Sequence, residues 1–305
     1  MNNQLTYSRS INRKLRLKLT DFCNLQCPFC HSEGAAGADD LSVTDTTLVS
    51  SLKRLRSHYE YVHFTGGEPT SYRHFNEMVA LTQSLGYKRA ITSNGLFNVS
   101  NLESALRSFE YINISFHTLN PDYFSSFFRA PHRTDRVIDI ITENIQTLSK
   151  FLSVRINTVV SFSDNLQQLE QVHDFTEQHG LQLKLVPDWR SSAESKLFIL
   201  DYLDNLGFEL SEIVRILPGS NVRKIFRHPT RPKVELKDLA VYRPKFLCES
   251  CDIIDSCIES FAFVRLEQNP VNVRLCIYKP SMSSEAFFDI FESSVIPMFD
   301  QALSD

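Results

Sequence analysis

The chain has 305 residues, of which 42% are hydrophobic and 22% charged, and its formal net charge is −4. A chain of this size can bury a sizeable core and fits one large α/β domain with an appendage, or two domains. The weak negative charge gives no electrostatic case for a nucleic-acid surface or an anionic membrane, so we expect neither as a partner.

The hydropathy pattern predicts the compartment. No apolar run approaches the ~18 residues that a membrane-spanning helix needs. Residues 1–19 are polar and basic, and they lack the apolar segment of a secretory signal. We therefore expect a cytoplasmic protein.

Short apolar strands alternate with longer amphipathic helices in the first two thirds of the chain. Strands are predicted at 15–20, 61–65, 89–92, 111–116, 154–160 and 181–186, and helices at 43–56, 73–85, 102–109, 135–152, 165–179 and 193–205. Gly86 and Gly180 lie just past helix ends, where a left-handed residue is favoured. The alternation predicts βαβ units and a parallel sheet. Six units predict a partial (β/α)6 TIM-like barrel, and a doubly wound flat sheet is the alternative.

From about Gly207 the pattern changes. Prolines punctuate a basic stretch that is predicted to be irregular, and residues 286–303 predict a closing amphipathic helix. We therefore expect two regions, a barrel over residues 1–206 and a C-terminal region over 207–305.

Seven cysteines in a chain with no predicted secretory signal indicate metal or redox chemistry rather than disulfides. They form two sets: Cys23, Cys27 and Cys30, and Cys248, Cys251, Cys257 and Cys276. This distribution predicts two separate metal sites, the second of which makes the C-terminal region a cysteine-rich extension.

The first set, Cys23-x₃-Cys27-x₂-Cys30, directly follows the first predicted strand. Three thiolates on one loop can hold a [4Fe–4S] cluster and leave its fourth iron open to another ligand. The alternative is a structural zinc site completed by His31, because three cysteines and one histidine form a legitimate tetrahedral set. A zinc-stabilised binding protein without catalysis is the corresponding alternative function.

This loop, with Phe29 just before its last cysteine, resembles the signature of the radical S-adenosylmethionine (SAM) superfamily. The resemblance implies that SAM chelates the open iron. It implies further that one-electron reduction cleaves SAM to methionine and a 5′-deoxyadenosyl radical, which abstracts a hydrogen from the substrate. A reductant protein such as flavodoxin or ferredoxin is implied as a partner. The protein itself holds and shields the cofactor.

Motifs at the other strand ends extend the resemblance. Gly66-Gly67-Glu68-Pro69 resembles the superfamily's Gly-Gly-Glu-Pro motif, whose backbone bonds the amino group of SAM, and adjacent glycines allow close backbone approach. Ser93, Asn94 and Ser115 resemble contacts to the ribose and carboxylate of SAM. Asn157, on the fifth strand, joins this cofactor set. In parallel barrels, active sites form at the carboxyl ends of strands, which is where these motifs lie.

Residues 13–187 also resemble the GTP 3′,8-cyclase branch, on the stretches 15–21, 30–34, 64–69 and 154–160. The resemblance implies substrate-side residues at Arg16, His63 and Arg155, although a plain inter-strand salt bridge remains the alternative for Arg155. Family members usually carry basic residues where this chain has His63 and Tyr61. With about half of the usual basic set absent, we expect a different small polar substrate: a nucleotide, a nucleoside or a sugar acid.

The second set, Cys248-x₂-Cys251-x₅-Cys257-x₁₈-Cys276, supplies enough thiolates for either a [4Fe–4S] cluster or a zinc ion. The branch resemblance favours an auxiliary [4Fe–4S] cluster. The spacing also resembles that of radical SAM peptide maturases, so a ribosomal peptide is the alternative substrate.

Overall fold

The structure is a computed structural model of the 305-residue chain. It describes residues 5–30, 40–128, 136–161, 166–217, 221–239, 243–254, 257 and 264–304. Within these ranges no helix is long and apolar enough to cross a membrane.

The strands of the described chain form one continuous sheet, in the order β1-β8-β9-β10-β7-β6-β5-β4-β3-β2-β11-β12-β13. They are β1 (Thr6–Ile11), β2 (Lys14–Lys18), β3 (Tyr61–Thr65), β4 (Lys88–Ser93), β5 (Tyr111–Ser115), β6 (Ser153–Val160), β7 (Gln182–Pro187), β8 (Glu209–Leu217), β9 (Asn221–Arg227), β10 (Val234–Leu239), β11 (Arg265–Glu267), β12 (Asn272–Arg274) and β13 (Met282–Ser283).

The helices pack on the outer face of this sheet and at its C-terminal edge. They are α1 (Thr46–Leu55), α2 (Phe75–Ser84), α3 (Val99–Leu106), α4 (Pro121–Phe127), α5 (Val137–Leu148), α6 (Leu166–Gln178), α7 (Ser192–Asn205), α8 (Lys245–Cys248), α9 (Ser284–Ile290) and α10 (Ile296–Ser304). The predicted closing helix is therefore present, but a π-helical turn, Phe291–Val295, separates its two halves.

The six strands β2 to β7 pair in sequence order and all run parallel. Their side chains alternate between two environments, as a strand period of two requires. In β6, for example, Val154 and Ile156 are buried, whereas Arg155 and Asn157 are partly exposed on the opposite face. The apolar face packs against the helices, and the polar face lines the inside of the curved sheet.

The sheet curls into a half-barrel. Lys14 on β2 and Arg223 on β9 line the same cavity, although six strands lie between them in the sheet order. The Lys14 ammonium also donates to the Tyr111 hydroxyl on β5, at 2.6 Å. Contacts across so many strands require a strongly curved sheet. The predicted partial barrel is confirmed, and the flat doubly wound alternative is excluded.

The prediction of irregular structure after residue 207 was wrong. Strands β8, β9 and β10 occupy most of this stretch, and β10 pairs in parallel with β7, extending the half-barrel. The prolines that suggested irregular structure lie between strands, since Pro229 and Pro232 fall in the connection of β9 to β10. In β10, Val234 and Leu236 are fully buried, while Glu235 lies on the other face opposite Lys184. The division at residues 206/207 stays a prediction, and the sheet itself continues across it.

Candidate active site

The first three cysteines lie on the loop that leaves the carboxyl end of β2, here called the cysteine loop (residues 21–30). Cys23 and Cys27 are partly buried and Cys30 is exposed, and no disulfide joins any of the seven cysteines. Burial raises the pKa of Cys23 to about 11 and that of Cys27 to about 12. The thiols are therefore neutral at pH 7 unless a bound cation stabilises the thiolate forms.

The three cysteines lie on one loop, and the Cys30 amide donates to the Cys27 carbonyl at 3.1 Å. After burial, the charges of neighbouring cysteines are among the lesser causes that raise the pKa values of Cys23 and Cys27. Among the described residues, no three His, Cys, Asp or Glu side chains are grouped closely enough to hold a metal ion. His31 lies outside the described residues, so the zinc alternative stays a prediction.

The Gly-Gly loop (Gly66-Gly67-Glu68-Pro69) packs against the cysteine loop through its main chain. The Gly67 amide donates to the Thr20 carbonyl at 2.8 Å, and the Glu68 amide donates to the Phe22 carbonyl at 2.7 Å. A Cβ atom on Gly67 would lie 2.0 Å from the Phe22 carbonyl oxygen. Glycine is thus required here by the approach of two protein backbones.

Gly66 has a second reason to be glycine. Its φ of +148° lies in a region that other residues rarely adopt, and an added Cβ would lie 2.5 Å from the Thr20 carbonyl oxygen. In the described part of the chain, no group donates a hydrogen bond to the main-chain carbonyl of Gly66 or Gly67. These two acceptors lie beside the cysteine loop and fit the predicted contact with an amino group.

The buried Glu68 carboxylate joins the ends of two strands. It accepts hydrogen bonds from the Thr70 amide and hydroxyl, at 3.1 and 2.6 Å, from the Ser93 hydroxyl at 2.8 Å and from the Asn94 amide at 2.7 Å. Burial raises the pKa of Glu68, and these four donors oppose the shift. Because protein donors engage both of its oxygens, any contact of Glu68 with a cofactor would fall to its main chain. Pro69, next in the chain, is buried and begins a short 3₁₀ turn.

Asn94 ties the end of β4 to the cysteine loop. Its side-chain amide donates to the Asn24 side-chain oxygen at 2.6 Å and lies 4.0 Å from the Cys23 sulfur. Ser93 stabilises the turn after β4, since its hydroxyl also accepts a hydrogen bond from the Gly95 amide at 3.0 Å. Of this predicted pair, only Asn94 borders the cavity beside the cysteines.

That cavity is lined by Cys27, Asn94, Ser115, His117 and Phe128, among others. The Val159 amide donates to Nδ1 of His117 at 3.1 Å, so the neutral ring carries its proton on Nε2. Burial lowers the pKa of His117 to about 3, which keeps the ring neutral at ordinary pH. Sequence reasoning did not assign His117 a role, and its position just past the fourth parallel strand was the available signal.

An aromatic cluster closes one wall of this cavity. The Phe29 ring meets the His117 ring edge-on at a centroid distance of 4.8 Å, and the His117 ring stacks on Phe128 at 5.7 Å. Phe29 directly precedes Cys30 in the chain. Packing of the Phe29 ring in this cluster therefore also restrains the position of Cys30.

Asn157 lies beside Ser115 in the register of β5 and β6. Its side-chain oxygen is buried and has no hydrogen-bond partner among the described residues. A buried acceptor without a donor is costly, so this oxygen favours a bound group that donates a hydrogen bond.

The predicted substrate residues lie deeper inside the half-barrel. Arg16 is beside His63 in the register of β2 and β3, and His63 is hydrogen-bonded to the Thr92 hydroxyl at 2.8 Å. The Arg155 guanidinium lies 3.9 Å over the ring of Tyr111. Its Nε is buried without a hydrogen-bond partner in the described ranges. The Arg155 Nε is therefore available to donate a hydrogen bond. The guanidinium stacks on the Tyr111 ring, whereas the inter-strand salt bridge would have placed it beside a carboxylate.

A cavity of about 390 Å³ opens at the amino ends of the strands, opposite the cysteine loop. We call it the amino-end cavity, and its lining includes Lys14, Tyr61, Tyr111, Arg155 and Arg223, together with the carboxylates of Glu60 and Glu110. Burial and the charges of Arg223 and Arg155 lower the pKa of Lys14 to about 8. Sequence reasoning missed Lys14 and Arg223, because nothing in their local sequence indicates that they meet.

In the second set, the Cys251 amide donates to the Cys248 carbonyl at 3.0 Å. The pKa of Cys248 is raised by burial and by the neighbouring charges of Cys257 and Cys251, while Arg243 and Lys279 act in the opposite direction. Arg243 donates to the carbonyls of Ile254 and Cys257, at 3.2 and 2.7 Å. Cys276 is buried just after β12, and its carbonyl accepts from the Lys279 amide at 3.2 Å. Lys279 therefore links the Cys276 turn to the surroundings of Cys248.

Comparison with known proteins gives a consistent result. A sequence profile described as the radical SAM superfamily matches residues 17–176, just over half of the chain. A relative from Methanocella arvoryzae, described as a probable GTP 3′,8-cyclase, is 27% identical over 183 residues, which cover 59% of this chain and 58% of the relative. A relative from Saccharolobus solfataricus with the same description is 35% identical over 167 residues, covering 53% and 51%. The chain thus spans between half and three fifths of the length of these relatives.

Among solved structures, the fold is similar to that of Streptococcus suis SuiB bound to its precursor peptide SuiA. The TM-score is 0.50 and the identity 19%, and the match covers 68% of this chain and 49% of SuiB. At this identity the likeness concerns the fold alone.

The Glu68 interactions generate a stability prediction. In Glu68→Ala the buried donors of Thr70, Ser93 and Asn94 lose their acceptor, so we expect the free energy of unfolding to fall by roughly 3 kcal/mol or more. Urea unfolding of the anaerobic, metal-free protein would measure it. The control is Glu103→Ala, which removes an exposed pair with Arg107 and should cost about 0.5 kcal/mol or less. Equal effects of the two substitutions would contradict the role given to Glu68.

Proposed function

The chain belongs to the radical SAM superfamily, and from this premise we propose that it is a radical SAM enzyme acting on a small polar substrate. The observation that carries the proposal is the set of three free cysteines on the loop that leaves the carboxyl end of β2, beside the Gly66 and Gly67 carbonyls, to which no group in the described ranges donates. Superfamily membership implies a SAM-binding [4Fe–4S] cluster and SAM as cofactors.

The residues present fit these cofactors. Cys23, Cys27 and Cys30 would hold the cluster, and three ligands leave one iron for SAM. When bound and reduced, the cluster supplies the electron that cleaves SAM to methionine and a 5′-deoxyadenosyl radical, the species that takes a hydrogen atom from the substrate. The bound irons would also stabilise the thiolates that burial disfavours in the metal-free loop.

The surrounding side chains bind and orient SAM in this proposal. The carbonyls of Gly66 and Gly67 accept from its amino group. The Asn157 oxygen supplies a further acceptor. Ser115 and the Nε2–H of His117 supply donors at the cavity that Cys27 lines. The aromatic cluster of Phe29, His117 and Phe128 excludes water from that side. Exclusion of water protects a reactive intermediate from side reactions.

The substrate is proposed to carry an anionic group. Arg155, Arg223 and Lys14 meet in the amino-end cavity, and buried Nε atoms of both arginines have no partner among the described residues. Glu235, a carboxylate whose charge acts on Lys14, pairs with Lys184 at 3.1 Å and with Arg223 at 3.9 Å, so it balances part of this positive charge. Phosphate and carboxylate groups are the usual ligands of such guanidinium groups. This supports a nucleotide or a sugar acid over an uncharged nucleoside.

The second cysteine set is proposed to bind a second cluster. Cys248, Cys251 and Cys257, with Cys276 as the fourth ligand, would hold an auxiliary [4Fe–4S] cluster. The positive charges of Arg243 and Lys279 next to Cys248 favour its thiolate form.

Maturation of a ribosomal peptide remains the alternative function, supported by the cysteine spacing and by fold likeness alone.

Iron content and SAM cleavage test the proposal directly. Anaerobic reconstitution should yield about eight irons and eight sulfides per chain, and dithionite with SAM should then yield 5′-deoxyadenosine. Cys27→Ala should lose about half of the iron and all 5′-deoxyadenosine formation, because the first cluster loses a ligand. The matched variant, Cys257→Ala, should lose the other half of the iron. A colourless protein that contains zinc and no sulfide would instead support the non-catalytic alternative.

The amino-end cavity predicts pH-dependent anion binding. Lys14, with a pKa of about 8, is positively charged below that pH and neutral above it. Sulfate affinity, measured by calorimetry on the metal-free protein, should therefore fall between pH 7 and pH 9, and Lys14→Met should remove this pH dependence. Arg223→Gln should weaken sulfate binding by about tenfold at pH 7.

Lys150, which is exposed at the end of α5, provides the control. Lys150→Gln removes the same charge from the chain without touching the cavity. If it weakens sulfate binding as much as Arg223→Gln does, the binding reflects overall charge, and the proposed anion site is wrong.

A further inference from the structure

The chain segment that follows β7 holds the cysteine loop by its main chain. The Trp189 indole N–H donates to the Phe29 carbonyl at 2.8 Å, and the Arg190 guanidinium donates to the Pro28 carbonyl at 3.2 Å. Both carbonyls lie between Cys27 and Cys30. Two side chains from a distant part of the sequence therefore bond the turn that carries the second and third thiols.

Asp188 anchors this segment in the protein interior. Its side chain is 1% exposed, and its amide extends the pairing of β7 and β6 by donating to the Val160 carbonyl at 2.9 Å. Its carboxylate accepts from the Ser161 hydroxyl at 2.9 Å, from the Arg190 amide at 3.0 Å and from the Arg190 guanidinium at 2.6 Å. Paired guanidinium–carboxylate hydrogen bonds fix orientation as well as distance. Arg190 is thus held in place before it reaches the cysteine loop.

A backbone hydrogen bond from the Cys30 amide to the Cys27 carbonyl, at 3.1 Å, closes the turn itself. The Phe29 ring is fixed by its contact with His117. The carbonyls of Pro28 and Phe29 accept hydrogen bonds from Arg190 and Trp189, and these hydrogen bonds favour one orientation of each peptide group.

We infer that Asp188, Trp189 and Arg190 form a clamp that positions the Cys27–Cys30 turn for cluster binding. Trp189 and Arg190 are positioning residues: they do not ligate iron but set the directions of the peptide groups between two ligating thiols. Residues around a metal ligand commonly tune both affinity and electronic properties in this way. The inference rests on the proposed function, because it assigns the clamp to the cluster that Cys23, Cys27 and Cys30 would hold.

The clamp can be removed one hydrogen bond at a time. Trp189→Phe deletes the indole donor and keeps an aromatic ring, whereas Arg190→Met deletes the guanidinium and keeps an unbranched apolar chain. Arg190→Lys restores one cationic donor and serves as the rescue variant. The matched controls are Tyr7→Phe, which changes an exposed aromatic residue, and Arg107→Met, which removes a surface arginine paired with Glu103.

Two measurements separate positioning from general stability. The first is the rate at which the reconstituted protein loses iron to a chelator, and the second is the change in the electron paramagnetic resonance spectrum of the reduced protein when SAM is added. That difference spectrum isolates the first cluster, because only a cluster with an open iron binds SAM. We expect Arg190→Met to lose iron about tenfold faster and to show an altered difference spectrum. Trp189→Phe should show a smaller change in the same direction, and Arg190→Lys should recover part of the loss.

The controls should match the wild-type protein in both measurements. If Arg190→Met and Trp189→Phe also match it, the clamp has no positioning role and the inference is overturned. The inference is equally overturned if their faster iron loss merely parallels lower stability of the metal-free protein in urea, with an unchanged difference spectrum. A wild-type chain that takes up no iron would overturn the proposed function as well, so the two failures are distinguishable.

Discussion

The site depends on a backbone-to-backbone contact between the Gly-Gly loop and the start of the cysteine loop. The amides of Gly67 and Glu68 donate to the carbonyls of Thr20 and Phe22, at distances that leave no room for a Cβ atom on Gly67. Because these loops leave neighbouring parallel strands, the contact fixes the origin of the cysteine loop relative to the sheet. Glu68 extends the connection to the end of β4 through Ser93 and Asn94. Three strand ends are thereby joined into one rigid support.

This support explains why some groups of the Gly-Gly loop and of the end of β4 are occupied by hydrogen bonds within the protein. The carboxylate of Glu68 holds strand ends together, and the hydroxyl of Ser93 stabilises a turn. The groups that remain unoccupied within the described ranges are the carbonyls of Gly66 and Gly67 and the Asn157 oxygen. A preorganised site needs both kinds of residue, since groups that contact a cofactor are only as well placed as the residues behind them.

The half-barrel separates two chemical environments. Thiols, aromatic rings and neutral His117 lie at the carboxyl ends of the strands, whereas cationic side chains meet at the amino ends. A substrate anchored through an anionic group at the basic end would extend along the interior towards the cysteine loop. The cationic side chains of the amino-end cavity are partly buried, and partly buried charges favour a ligand of the opposite sign, although Glu60 and Glu110 also line this cavity. Burial, followed by repulsion from Arg223 and Arg155, lowers the pKa of Lys14.

The sequence by itself determined the six parallel strands, the helices between them and the gathering of their motifs at one edge of the sheet. It could do so because these features follow from local periodicity and from the rule that parallel strands end together. Strands β8 to β10 escaped prediction because the prolines of this stretch suggested irregular structure, whereas Pro229 and Pro232 fall in the connection of β9 to β10.

The tertiary structure alone decided three other matters: the saturation of Glu68 by protein donors, the meeting of Lys14 with Arg223, and the bonding of Pro28 and Phe29 by Arg190 and Trp189. Each depends on distances between residues far apart in the chain and on competition for a limited number of hydrogen-bond donors. Neither quantity is encoded in local spacing. The cysteine motif therefore indicated which chemistry to expect, and the folded chain specifies which residues hold that motif in place.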